Sequence, residues 1–241
     1  MSDDGVLPGD RPSRQNGPGV ALSASGLCRS FDGGLVCALA GADLAVGAGE
    51  RVAITGPTGC GKTTLLSLLA LLERPDAGEL LIDGRPCAAI RSPERWRAEN
   101  VGIVFQLHHL FPHLTAAENV AVPLSTRGVS RSSARQMVQA AIGQVGLGNR
   151  AATRASRLSG GERQLVAVAR ALVGAPRLIL ADEPTGSVDS ATGARVVQLL
   201  LDYSATAGAT LVLVTHEAAV ADRLDRVVAM RDGRIVDDGR R

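Results

Sequence analysis

The sequence predicts an α/β fold with a mainly parallel core sheet, an N-terminal antiparallel β region and an inserted α-helical lobe. Three observations carry this prediction. The string GPTGCGKTT at Gly56–Thr64 stands between a strand-like run, Arg51–Thr55, and a helix-like run, Thr64–Leu72. That is the strand–loop–helix order of a phosphate-binding loop. Two further apolar runs, Leu178–Ala181 and Leu211–Thr215, are separated by a helical pattern over Ala194–Ser204, and apolar strands joined by crossover helices build a buried parallel sheet. Between these halves, residues 93 to about 160 read as mainly helical.

Taken in order, residues 1–20 are rich in Gly, Pro, Ser, Asp and Arg and have no apolar period. They are expected to be a tail outside one folded unit, 21–241. Val36–Val46 and Arg51–Thr55 carry alternating or continuous apolar residues divided by Gly47 and Gly49, which reads as strands. Glu79–Ile82 reads as another short strand with a turn at Asp83–Gly84. In Ser130–Val145, residues Ala134, Met137, Ala140, Ala141 and Val145 recur at helical spacing, with serines at the start and Gly146 and Gly148 at the end. Such serines cap helices and such glycines stop them. Leu165–Val173 continues as a helix, and Val227–Met230 and Arg234–Val236 flank a hairpin signal at Asp232–Gly233.

The 241 residues are 45% hydrophobic, with net charge +2. That length supports one large domain or one domain with an inserted lobe. Basic residues are scattered among acids and aromatics make up 2%, so neither a basic patch nor stacking rings point to nucleic acid. The longest apolar run, around Leu65–Leu72, is interrupted by Ser67 and is too short to span a bilayer. Asp3, Asp4 and Asp10 break the pattern of a signal peptide. The expected place is the cytoplasm, with no direct membrane insertion. Cys28, Cys37, Cys60 and Cys87 share no metal-ligand spacing and read as reduced thiols.

Gly56, Pro57, Thr58, Gly59, Cys60, Gly61, Lys62, Thr63 and Thr64 form a phosphate cradle. Glycines let backbone N–H groups turn inward, and the following helix adds its positive end. Lys62 should reach the β- and γ-phosphates of ATP, and the Thr63 hydroxyl should hold Mg²⁺. A glycine-rich turn that merely closes a strand–helix unit would leave the Lys-Thr pair unexplained. Asp182 and Glu183 end an apolar strand, the edge where open parallel sheets bind ligands. Asp182 can serve the Mg²⁺ and Glu183 the attacking water as general base. His216 follows the next apolar strand and can orient water or touch the γ-phosphate. Gln106, after Val101–Phe105, can ligate Mg²⁺ or position water.

Leu158–Glu162 reads LSGGE. Ser159 with the N–H groups of Gly160 and Gly161, followed by Glu162, makes a second anion-binding helix start. One triphosphate is already held at Lys62. The expected arrangement is therefore a homodimer in which each chain offers this segment to the nucleotide of the other.

These motifs together resemble the nucleotide-binding subunit of ATP-binding cassette (ABC) transporters, from about Leu22 to Gly239. The resemblance implies a P-loop NTPase of the ABC type: Gly56–Thr64 as Walker A, Gln106 as the Q-loop glutamine, Leu158–Gln164 as the signature and Leu178–Glu183 as Walker B. It also implies Ser187-Val188-Asp189 as the D-loop and His216 as the switch histidine. Phe31 takes the place of the ring that stacks on adenine. Cys60, Val188 and Leu165 depart from the usual residues, and none removes a catalytic group. The implied partners are a second copy and separate transmembrane permease subunits, with the chain peripheral on the inner face of the membrane. The run HHLFPHLTAAENVAVPL from His108 is similar to the lipoprotein-releasing, macrolide-efflux and cell-division branch; LFPHLT is similar to polar amino acid importers as well. A soluble ABC protein acting on nucleic acid or ribosomes, and a small-molecule kinase, are the alternatives of other classes. The first lacks its second cassette, and the second leaves LSGGE without a use.

Overall fold

Two sheets divide the apolar sequence between them in the computed structural model, which describes residues 19–240. The first is antiparallel. It takes β1 (Leu22–Phe31) and β2 (Val36–Val46), and after β3 (Arg51–Thr55) and α1 (Lys62–Leu69) it takes β4 (Ala77–Ile82) and the two-residue β5 (Arg85–Pro86), in the order β2-β1-β4-β5. Next come α2 (Pro93–Asn100), β6 (Val101–Val104), α3 (Ala116–Ala121), α4 (Arg131–Gln144) and α5 (Gly160–Leu172). The chain finishes with β7 (Leu178–Asp182), α6 (Ser190–Ala207), β8 (Thr210–Val214), α7 (Ala218–Ala221), β9 (Arg226–Arg231) and β10 (Arg234–Arg240). The second sheet runs β10-β9-β3-β8-β7-β6, with β9, β3, β8, β7 and β6 parallel and β10 returning as a hairpin.

Strand alternation assigns each face of the parallel sheet to its own core. Leu178, Leu180, Val212 and Val214 pack with α1 and the antiparallel sheet. Ile179, Ala181, Leu211 and Leu213 pack with α3, α4, α5 and α6. Both faces of β7 and β8 are therefore buried, which is why these strands read as unbroken apolar runs. Full burial of each such Leu, Ile or Val side chain contributes about 1.5–3 kcal/mol.

Caps set the helix ends. Ser130 accepts the Ser133 N–H at the start of α4. Thr115 with Glu118, and Ser159 with Glu162, form reciprocal capping boxes for α3 and α5. Asp189 accepts the Thr192 N–H at the start of α6, and Gly208 ends it at φ 62°. Helix α1 begins at Lys62, two residues before the expected Thr64, because Gly61 at φ 103° turns the chain into it. It stops at Leu69, short of Leu72, and Leu71 already stands in the left-handed region at φ 55°.

Two expectations change. The expected tail, 1–20, lies outside the described residues through 18, but Gly19 and Val20 belong to the folded body. Val20 is fully buried. Its N–H donates to Thr210 Oγ1 at 3.0 Å and its carbonyl accepts from the same hydroxyl at 2.7 Å, while Arg177 donates to the Gly19 carbonyl. The stretch 93–160 is mainly helical as expected, but its strand β6 belongs to the core sheet and not to the lobe, since it pairs with β7 as the edge strand. Thr210 additionally accepts the Gly49 N–H at 2.9 Å. Thr210→Val should therefore lower stability by about 2 kcal/mol or more, read as a lower denaturation midpoint with an unchanged slope.

Candidate functional site

Parallel register brings the candidate residues to one edge. Ile54 of β3 lies beside Val214 of β8, Val214 beside Asp182 of β7, and Ala181 beside Val104 of β6. The residues following these carboxyl ends are Gly56, His216, Glu183 and Gln106. The ladder reaches beyond the strands, with Glu183 N–H donating to Val214 at 3.0 Å and Thr215 N–H to Ile54 at 3.1 Å.

The loop Gly56–Gly61 is shaped by glycines and braced from outside. Gly56, Gly59 and Gly61 stand at φ 146°, 80° and 103°. A Cβ at Gly56 would lie 2.2 Å from the Met230 carbonyl, and one at Gly61 would lie 2.3 Å from the Ala38 carbonyl. The β9–β10 turn supports the loop: Gly233 N–H donates to the Cys60 carbonyl at 3.0 Å, and Ala40 N–H donates to the Gly233 carbonyl at 3.0 Å. Nothing in the sequence signals this brace, which joins residues 173 positions apart. Lys62 is 6% exposed. Its ammonium donates to the Gly56 and Pro57 carbonyls at 2.9 and 2.8 Å and lies 3.8 Å from Cys60 Sγ.

Thr63 Oγ1 donates to Asp182 Oδ2 at 2.8 Å. Burial pushes the Asp182 carboxyl above its ordinary value. The Thr63 hydrogen bond and Lys62 pull it back, and the Glu183 charge pushes it further up. A carboxylate so desolvated suits a cation. Among the described residues no group of three or more His, Cys, Asp or Glu converges as a metal site.

Glu183 Oε2 lies 3.4 Å from His216 Nδ1, with the side chains 22% and 62% exposed. Glu183 itself sits at φ 42°. The Gln106 side chain lies against Gly186, where an added Cβ would come within 3.1 Å of Nε2. The Gln106 carbonyl accepts from Ser187 Oγ at 3.0 Å, so the Gln106 segment and the loop after β7 are joined. Gln164 of α5 donates to the Pro184 carbonyl at 2.7 Å, which ties that loop to α5 as well.

Phe31 is not drawn to the loop by any ring contact among the described residues. The guanidinium of Arg29 covers its ring at 4.9 Å, and Glu73 and Asp76 hold Arg29 in turn. Ser159, Gly160, Gly161 and Glu162 line a separate groove of about 770 Å³ together with Ser187 and Asp189, and none of residues 56–64 lines it. Ser159 Oγ accepts the Glu162 N–H at 3.2 Å, and the Ser159 N–H together with its hydroxyl holds the Glu162 carboxyl below its ordinary value. Within one chain, then, the Gly56–Gly61 loop and the Ser159 helix start share no groove.

The family described as ABC transporter matches residues 39–186. The chain is similar to "Lipoprotein-releasing system ATP-binding protein LolD 1" of Rhodospirillum rubrum, 44% identical over 223 residues, covering 91% of this chain and 99% of the relative. It is similar to "Lipoprotein-releasing system ATP-binding protein LolD" of Anaeromyxobacter dehalogenans, 46% identical over 223 residues, covering 90% and 93%. Among solved structures it resembles the dimeric post-hydrolysis state of the ATP-binding cassette MJ0796 bound to ADP and Pi. There the TM-score is 0.85 and the identity 33%, covering 91% of this chain and 98% of that one.

Proposed function

The chain belongs to the ABC transporter family and is an ATPase, and we propose that two copies close around two MgATP to drive a separate permease of the lipoprotein-release type. The single observation that carries the dimer is the separation of the two half-sites. The groove holding Ser159, Gly160 and Gly161 contains no residue of the phosphate loop, so a nucleotide on that loop meets such a segment only from a second chain. The solved relative MJ0796 is itself dimeric, and the named curated relatives are lipoprotein-releasing subunits.

Each residue's part follows from its bonds. Two of the three Lys62 donors are taken by loop carbonyls, and among the described residues the third has only the weak acceptor Cys60 Sγ, at 3.8 Å; a phosphate oxygen replaces that contact. The loop N–H groups and the first turn of α1 hold the remaining phosphate charge. Thr63 and Asp182 would hold Mg²⁺, with Gln106 alongside. When bound, the ion supplies charge neutralisation on the phosphoryl oxygens. Glu183 takes a proton from the attacking water, and His216, with Nδ1 toward Glu183, presents Nε2 to the transferring group. Phe31 offers its second face to adenine.

The permease seat is a groove of about 340 Å³ beside the Gln106 segment, lined by Phe105, His109, Phe111, Pro123 and Arg170 among others. Phe111 and the neighbouring Leu107 are exposed. Arg170 of α5 donates to the carbonyls of His108 and His109 at 2.7 and 2.6 Å. Pressure on this groove therefore moves α5, whose first turn carries Ser159–Gly161. No described helix is long and apolar enough to cross a membrane. The permease is what holds the chain at the inner face of the membrane in this reading.

Complementation tests the shared site. Lys62→Ala ruins a chain's own loop and Ser159→Phe ruins what it lends its partner. Each variant alone should lose more than about tenfold in hydrolysis. A mixture forms heterodimers with one intact composite site, so activity should return. A mixture as inactive as its components would overturn the composite-site reading.

A further inference from the structure

We propose that Thr185 and Glu217 form a positioning clamp that holds the loop bearing Glu183 against the loop bearing His216. The proposal rests on reading those two residues as the hydrolytic pair.

Packing alone does not fix the pair. His216 is 62% exposed on its side chain, so few neighbours restrain it. Glu183 stands at φ 42°, a left-handed conformation that a bulky residue keeps only when its surroundings over-determine it. The β-ladder fixes the base of each loop through Glu183 N–H to Val214 and Thr215 N–H to Ile54. Beyond that base, besides the 3.4 Å approach of Glu183 to His216 itself, the two loops are joined by a charge-assisted bond, Thr185 Oγ1 to Glu217 Oε1 at 2.5 Å. Such bonds to a carboxylate are short and strong.

Both ends of the bond are themselves anchored. Glu217 N–H donates to Thr215 Oγ1 at 3.0 Å, and the Glu217 carbonyl accepts from Val220 and Ala221 N–H at the start of α7. Thr185 packs against Gly193 of α6, where an added Cβ would lie 3.2 Å from Thr185 Cγ2. A continuous path therefore runs from α6 through Thr185 and Glu217 to the residue next to His216. The clamp touches neither the phosphate loop nor Asp182. Its expected effect falls on the relative placement of base and histidine, not on nucleotide affinity.

The test compares Thr185→Val, Thr185→Ser, Glu217→Ala and Glu217→Gln in the full chain. Phosphate release at saturating ATP gives kcat, and a fluorescent ATP analogue gives Kd. Thr185→Val and Glu217→Ala should each lower kcat by roughly tenfold with Kd unchanged within about twofold. Thr185→Ser keeps the donor and Glu217→Gln keeps an acceptor oxygen, so both should stay near wild type. The double variant Thr185→Val/Glu217→Ala should be no slower than either single one. A merely structural role would lower the melting temperature without this split or the rescue by serine. Wild-type kcat in Thr185→Val, or Thr185→Ser as slow as Thr185→Val, overturns the clamp. Should Thr185→Val not fold, the contrast between Glu217→Ala and Glu217→Gln decides in the same way. Glu183→Gln and His216→Ala, run alongside, separate the two ideas. If they are inactive while the clamp variants are normal, only the clamp fails; if they hydrolyse ATP normally, the hydrolytic pair itself is wrong.

Discussion

Glu183→Gln should slow ATP hydrolysis by about 10²–10⁴-fold and leave a dimer that persists only while ATP is present. Glutamine has the size of glutamate and can accept a hydrogen bond from water, but it cannot take the proton at neutral pH. Nothing in the phosphate loop depends on the Glu183 carboxylate: Lys62 is held by the Gly56 and Pro57 carbonyls, and Thr63 is held by Asp182. Nucleotide affinity should therefore survive. With binding intact and hydrolysis blocked, the closed pair cannot reopen by turnover. Size-exclusion chromatography with and without ATP, beside phosphate release, reads both consequences. A wild-type rate would remove Glu183 as the base; a variant that no longer binds ATP would show that its charge shapes the loop.

Gly61→Ala should abolish nucleotide binding, and Gly59→Ala should only weaken it. Both glycines have positive φ, 103° and 80°, and a side chain there costs about 1–2 kcal/mol, or a factor of about 5–30. Gly59 has open space around its missing Cβ, so strain is the whole cost. Gly61 has the Ala38 carbonyl 2.3 Å from that position and Leu39 Cδ2 at 3.1 Å. Strand β2 is pinned there through Ala40 and the Gly233 turn, so the loop must move instead. Movement at Gly61 displaces Lys62 and the first N–H groups of α1. We expect Kd to rise more than about 100-fold for Gly61→Ala and about tenfold for Gly59→Ala, measured by nucleotide titration. Equal losses would show that backbone strain alone governs the loop.

Much of the fold was legible because the parallel strands bury both faces. Arg51–Thr55 was read with its observed bounds, and Leu178–Ala181 and Leu211–Thr215 within one residue at either end. Strand β6 was not resolved from its surroundings, since Val101–Val104 is four residues long and a short apolar run has no decisive period. Strand β1 shows no clean alternation because its pairing with β2 is broken by three register shifts between Ala24 and Ser30. The folded body begins at Gly19 because of hydrogen bonds to Thr210 and Arg177, partners more than 150 positions away that leave no trace in local composition.

The sequence by itself determined the candidate groups: a lysine and threonine after three positive-φ glycines, two carboxylates and a histidine at strand ends, and a serine–glycine helix start. Each depends on neighbours within a few positions, where turn sterics and helix capping act. The tertiary structure alone decided how these pieces meet. Parallel register set Glu183 against His216, the Gly233 turn and β2 closed around the phosphate loop, Thr185 reached Glu217, and the Ser159 groove was left without any residue of its own loop. Those relations arise from buried hydrogen bonds and core packing between residues far apart in the chain, and local sequence carries no preference for them until the sheet has formed.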